Sequence, residues 1–410
     1  MPFLLRTPNS FMIVDEKPRQ GIFYQVYSKE GFLRPTLIHT GNCLAYSATL
    51  DEANQLHVIA QSTNNQMTYY RFLESGPTKR LILEDTRGLY HFKNMSIHYL
   101  GGKAHLFYTV IHPNGHARSL VHQDLENTTP QVQNLVTNLP LDCQISYYLV
   151  GATLYILYPV YEEGYQLNCL IFTGDTYEIK TITRSNSPIV DWNTCLHNDL
   201  LYVLFTTDTY GHPHFHLTDL TNLQDKMISL PGTAISPTLL SYLDCLWIHY
   251  KEHEKLYTLF SIPEQDMFSI PVLSSLQTPV SLYHYYSLDR QDFNASAVYA
   301  NLISTLRLAT LSAIDIKDIH PGLPSNIELA LLLEGLSLRT TSQIMPTPTQ
   351  PTFTPLPTSH TAPPTTTSSP LLQPITFDAP LEFNTPPTST HTVKDAVKAF
   401  INEGNSFENQ

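Results

Sequence analysis

The run LYVLFTT at Leu201–Thr207 has relatives at near-constant intervals along the chain. LHVIAQS begins at Leu56, AHLFYTV at Ala104, LYILYPV at Leu154 and LWIHYKE at Leu246. The second residues of these runs are His57, His105, Tyr155, Tyr202 and Trp247, spaced 48, 50, 47 and 45 residues apart. A further step of 45 back from His57 reaches Met12, inside FMIVDE. Six copies of one unit at this period require a repeat architecture, in which each unit covers the apolar face of its neighbour.

Each unit has the make-up of a small meander. Around Ala104 the β-rich runs NMSIHYL, AHLFYTV, ARSLVHQ and VQNLVT are separated by GGK, HPNGH and ENTTP. These connections carry the Gly, Asn and Pro that tight turns need. Four strands every 45–50 residues is the pattern of a β-propeller blade. The second strand lies mid-sheet between two neighbouring blades, which accounts for its continuous apolar run.

The two ends of the ring complement each other. The first copy starts at its second strand, FMIVDE, and the last copy is followed by a spare strand, PVSLYHYYSL, at Pro279–Leu288. Pairing Pro279–Leu288 with Phe11–Glu16 completes one blade from both ends and removes an open sheet edge. The expected fold is all-β: a six-bladed β-propeller over residues 1–290, closed by N- and C-terminal strands in one blade. Five complete blades with one uncovered edge is the alternative.

Over roughly residues 10–288 the repeat resembles the bacterial β-propellers of the sialidase-like repeat type. The resemblance is one of fold. Sialidase Asp-boxes, WD dipeptides and YWTD are missing and no Kelch-type double glycine recurs with the repeat, so it implies a bacterial propeller and brings no activity with it.

Beyond the ring the pattern changes. Val298, Leu302, Leu306 and Ala309 have helical spacing, and Ser325 with Glu328 forms a capping box for an apolar helix starting at Ile327. Residues 291–340 are therefore expected to be helical and packed on the propeller or self-associating. Residues 341–390 are Thr/Pro-rich, with twelve of the chain's 30 prolines between Pro346 and Pro387, and read as a disordered, extended linker. Residues 391–410 form a short amphipathic helix whose Val393, Val397, Phe400 and Ile401 share a face fit for docking.

Composition narrows the partners. A net charge of −13 and the lack of any basic stripe argue against nucleic acid. No apolar run reaches the length of a membrane span, and the first residues lack the pattern of a secretory signal. The five scattered cysteines lack CxxC spacing and suit reduced thiols, so a cytoplasmic location is expected. No GxxxxGK, GxGxxG, HExxH or GxSxG occurs, and no cofactor is expected.

First strands of propeller blades line the channel. Here they offer Tyr46, His98, Tyr148, Asp191, Trp192, Tyr242 and His284, aromatic and polar groups suited to a sugar ring or a peptide. Asp142 and Asp191 stand near the starts of two adjacent first strands, where facing carboxylates could act as the acid and base of a glycoside hydrolase or lyase. His212, His214 and His216 alternate along one strand and so share a face, the spacing of a weak transition-metal site. Low overall charge, scarce loop carboxylates and a tethered helix favour a non-enzymatic interaction scaffold, binding a protein or a glycan through the propeller and docking through its tail. A propeller hydrolase or lyase is the alternative, and a carbohydrate-binding lectin the second.

Overall fold

The computed structural model describes residues 1–309 except 29–30, 86–90, 112–117, 127–131, 175, 243–244, 262–267, 270, 275, 277–278, 288–292 and 303–305. Among these residues every regular element is a strand. Six sheets follow one another along the described chain, and residues 43–84, 91–139, 146–185 and 189–228 each form a plain four-stranded meander. Their hairpins are tight because the turns accept left-handed backbone. Gly101 and Gly102 turn the third sheet and Asn198 and Asp199 the fifth, all with positive φ, as two-residue hairpin loops require.

The first strands of the sheets are β1 (Phe3–Arg6), β2 (Cys43–Leu50), β3 (His91–Leu100), β4 (Ser146–Val150), β5 (Ile189–His197) and β6 (Ile235–Tyr242). Each touches the next in that order. Three more strands join the sixth sheet back to the first: β7 (Ser281–Ser287), β8 (Phe293–Ala295) and β9 (Ala297–Asn301). Strand β7 runs parallel to β1, with His284 opposite Phe3 and Tyr286 opposite Leu5. Strand β8 pairs antiparallel with β6, and β9 pairs antiparallel with β7. The architecture is that of a β-propeller whose first strands gather around the C-terminal strands.

The repeated second strand is largely apolar because both of its faces are covered. In Leu200–Thr209, Val203 and Phe205 pack toward the fourth sheet with Leu157 and Leu167, while Leu204 packs toward the sixth with Leu239 and Ile248. In Leu56–Ser62, Val58 and Ala60 join one cluster and Ile59 another. Each such buried Leu, Ile, Val or Phe contributes about 1.5–3 kcal/mol, and alternation places successive contributions in two different inter-sheet layers.

Polar side chains link neighbouring first strands. Ile97 N–H donates to Ser47 Oγ at 3.1 Å, and Leu239 N–H donates to Asn193 Oδ1 at 2.9 Å. Ser47 and Asn193 hold the same place in their sheets, opposite Ile59 and Leu204. Inner strands leave backbone groups unpaired along one edge, and these side chains satisfy some of them.

Two expectations need correction. The first sheet has its own first strand, Phe3–Arg6, so Pro279–Leu288 does not pair with Phe11–Glu16; β1 stands between them, although all three share one sheet. The strand is four residues long and folds back at once through a turn closed by Thr7 and Ser10, which hid it in the sequence. The helix expected from Val298 is strand instead, and Ala297–Asn301 is buried at every position. A short run buried on both faces has no periodicity to separate it from a buried helix. The helix at 327–339, the linker at 341–390 and the helix at 391–410 lie outside the described residues. Among the described residues no helix is long and apolar enough to cross a membrane.

Candidate functional site in the central cavity

Four of the six first strands break register at the same end. The bulges fall between Cys43 and Ala45 in β2, Lys93 and Ser96 in β3, Ile189 and Asp191 in β5, and Ile235 and Thr238 in β6. Asn94 and Ser236, inside two of them, hold φ near 49°, a strained backbone for residues other than glycine. Bulges re-aim side chains, and these open onto a cavity of about 760 Å³ ringed by the first strands and completed by β7 and β9.

Six of the seven residues expected at the channel line this cavity: Tyr46, His98, Tyr148, Asp191, Trp192 and His284. Tyr242 is not among them. It sits at the far end of β6, opposite Cys245, with its ring 6.0 Å from Phe293.

The lining is held by its own contacts. Trp192 Nε1–H donates to Ser146 Oγ at 2.8 Å, tying the fifth sheet to the fourth. Leu196 N–H donates to the Tyr148 hydroxyl at 2.9 Å. Tyr46 donates to Asp15 Oδ1 at 3.3 Å, and burial raises its own pKa. His98 Nε2 lies 2.8 Å from Ser96 Oγ, and its ring packs 5.4 Å from that of Tyr147. His284 stacks on Phe3 at 4.9 Å; it is open to the cavity, yet the protein around it pushes its imidazole down to about 4. Burial pushes the Asp191 carboxyl up to about 6, against the Trp192 N–H, which favours the charged form.

Asp142 and Asp191 are not brought together. Asp142 lies in a turn ahead of β4, exposed, and lines a second cleft of about 660 Å³ with Tyr161, Glu162, Tyr165 and Val190. Register explains the mismatch. Ser146 stands opposite Leu157 as Asn193 stands opposite Leu204, so the counterpart of Asp191 in the fourth sheet is Gln144. Gln144, Val190 and Trp192 border both clefts.

The three histidines do not converge either. His212 and His214 are exposed, whereas His216 has both nitrogens engaged, Nε2 with Thr207 Oγ1 at 3.0 Å and Nδ1 with Asp225 Oδ2 at 2.9 Å. Among the described residues no three His, Cys, Asp or Glu side chains are grouped for a metal. Thr207, His216 and Asp225 stand in the order of a nucleophile relay, but Thr207 is buried and lines neither cleft. The five cysteines are unpaired thiols, and burial raises the pKa of each.

No family model matches this chain, and comparison with curated proteins gives no match. Solved structures do resemble it. Streptogramin B lyase is similar with a TM-score of 0.44 and 11% identity, over 75% of this chain and 93% of that one. The six-bladed fucose-binding lectin of Aleuria aurantia is similar with a TM-score of 0.39 and 10% identity, over 66% and 94%. TolB from Acinetobacter baumannii gives 0.38 and 15%, over 65% and 66%. The likeness is one of fold and brings no activity to this chain.

Sequence reasoning missed Glu16, Asn94, Gln144, Ser236, Tyr286 and Ser296, which also line the cavity. Asn94 carried a legible signal, as an asparagine interrupting a strand in KNMS, a residue type that tolerates left-handed backbone. Ser296 carried none, since it enters only through the C-terminal strands.

Proposed function

We propose that the chain is a six-bladed β-propeller acting as a non-enzymatic interaction scaffold, with the central cavity as its ligand site. What carries this is the set of four register breaks at one mouth, which turn aromatic and polar groups from separate sheets into a single cavity. Stacking faces, hydroxyls and few charges suit a glycan or a segment of protein. The deciding experiment is retention of a glycan and peptide library on the immobilised chain beside its Trp192→Ala variant. Ligands held by the natural chain and released by the variant support the proposal; identical retention by both overturns it.

Hydrolase or lyase chemistry is the second reading, favoured by one observation. A carboxyl held near 6 is in the range of a general acid. The partner proposed for it, Asp142, lines a different cleft. Turnover of any glycan that disappears in Asp191→Asn would promote this reading over the first.

From sequence alone, the tail adds a docking element through Val393, Val397, Phe400 and Ile401. Affinity capture with the full chain and with one ending at Arg339 tests it, and identical sets of captured proteins would end it.

A further inference from the structure

We propose that the central cavity takes an organic ammonium ion, a small molecule whose cationic head sits beside Asp191 and against the ring of Trp192. The proposal rests on the cavity being the ligand site and specifies the ligand's charge.

Charge balance comes first. Among the described residues lining the cavity, the carboxylates are Glu16 and Asp191, and no lysine or arginine reaches it. Met1 borders it on the β1 side, near His284, but no cation acts on Asp191. Burial first, and then the Met1 α-ammonium, push the His284 imidazole below its ordinary value and toward the neutral form. An anionic ligand would meet two carboxylates against a single cation, the Met1 α-ammonium, which stands by His284 and not by Asp191. A neutral sugar could give the half-buried carboxyl hydrogen bonds but no counter-charge.

Local chemistry points the same way. A half-buried carboxylate without a cation is costly, and only the Trp192 N–H favours its charged form. The adjacent Tyr299 gives its hydroxyl to Ser236 O at 2.8 Å, so it does not serve Asp191 as that donor. Trp192, Tyr46 and Tyr147 line the same cavity, and an ammonium over an aromatic face gains from the ring quadrupole. A cation therefore gives the carboxylate a counter-charge and the rings a positive partner at once.

The full chain labelled with 5-fluorotryptophan gives two fluorine resonances, one for each tryptophan, and Trp192→Phe identifies that of Trp192. The probes are choline, its neutral isostere 3,3-dimethylbutan-1-ol, and methyl glycosides. The expected result is that choline shifts the Trp192 signal at a concentration at least about tenfold lower than the alcohol. Asp191→Asn should then weaken choline binding by about tenfold or more, with a thermal melt confirming the fold. Glu16→Gln should weaken it by a smaller factor, which keeps the test open if Asp191→Asn does not fold. Equal binding of choline and alcohol, or of choline to all variants, overturns the ammonium assignment and leaves the cavity as a ligand site. So does a shift produced by glycosides alone. A Trp192 signal that no probe moves also overturns it, and the library retention experiment then decides separately whether the cavity is a ligand site.

Discussion

Nδ1 of His105 lies 2.9 Å from Nε2 of His122, with both rings buried beside Phe107 and Phe172. One nitrogen donates and the other accepts, so the pair is made for two neutral imidazoles. A proton on His122 would place a charge in an apolar layer and against His105. Burial first, and then that neighbour, push its pKa down to about 4. His249, fully buried in the sixth sheet, is pushed down to about 3 by burial alone.

Stability should therefore fall in acid. In the unfolded chain these histidines titrate near about 6.5 and take up protons first as pH drops. Their stabilising effect is complete above about pH 6.5. It declines by about 1.4 kcal/mol per pH unit for each group until the folded value is reached. Asp191 works in the opposite direction below pH 6, because its folded carboxyl binds a proton before the unfolded one, but it is one group against several. Urea midpoints measured at pH 7, 6 and 5 should decrease, and His122→Gln should flatten the decline. A midpoint that holds steady across this window would refute the account.

The links between first strands should act independently of one another. Ser47→Ala leaves the Ile97 N–H without its acceptor, and Asn193→Ala does the same to Leu239. Each should cost about 1–3 kcal/mol, the penalty of an unsatisfied buried donor. Since the two sit in the second and fifth sheets, the double variant should show the sum to within about 0.5 kcal/mol. Thermal or urea unfolding of the three variants checks this.

Trp192 has two separable duties, packing and its bond to Ser146. Trp192→Phe keeps most of the packing and should cost about 1 kcal/mol. Trp192→Ala should cost about 3–5 kcal/mol. Near-equal losses, read by calorimetry, would mean that packing in the inter-sheet layer is not what holds the ring in place.

Closure depends on the C-terminal strands. Without residues 281–309, β1 has a bare edge on one side and β6 loses its partner Phe293–Ala295. A chain ending at Val280 should elute from size exclusion as aggregate, where the full chain does not, because an unpaired inner edge invites pairing with another molecule. Monomeric elution of the short chain with an unchanged melting temperature would show that the closing strands are dispensable.

The second strands were legible in the sequence because burial on both faces leaves only apolar residues at positions such as Leu201, Val203 and Phe205. The hairpin at Gly101–Gly102 was legible from its two glycines. Phe3–Arg6 was not, since four residues ahead of a turn carry too little pattern. Ala297–Asn301 was misread because small and apolar residues covered on every side fit a helix and a strand equally. Much of the cavity lining followed from the assignment of first strands, which carried Tyr46, His98 and Trp192, while His284 lies in β7, beside the true first strand β1. Tyr242 failed for a geometric reason: strands have two ends, and only the bulged end faces the cavity. Asp142 was aligned with Asp191 two residues out of register, because the short β4 begins only at Ser146 and Gln144 is the true counterpart.

Tyr286, Ser296 and Ala297 form part of the cavity wall, while Tyr46 and His98 belong to its first-synthesised side. A ribosome that has released 280 residues has produced the outer strands of every sheet but no finished pocket. On the proposed ligand site, capture would begin only after the last wall has emerged, and a truncated translation product would be blind to the ligand however well its early sheets have folded.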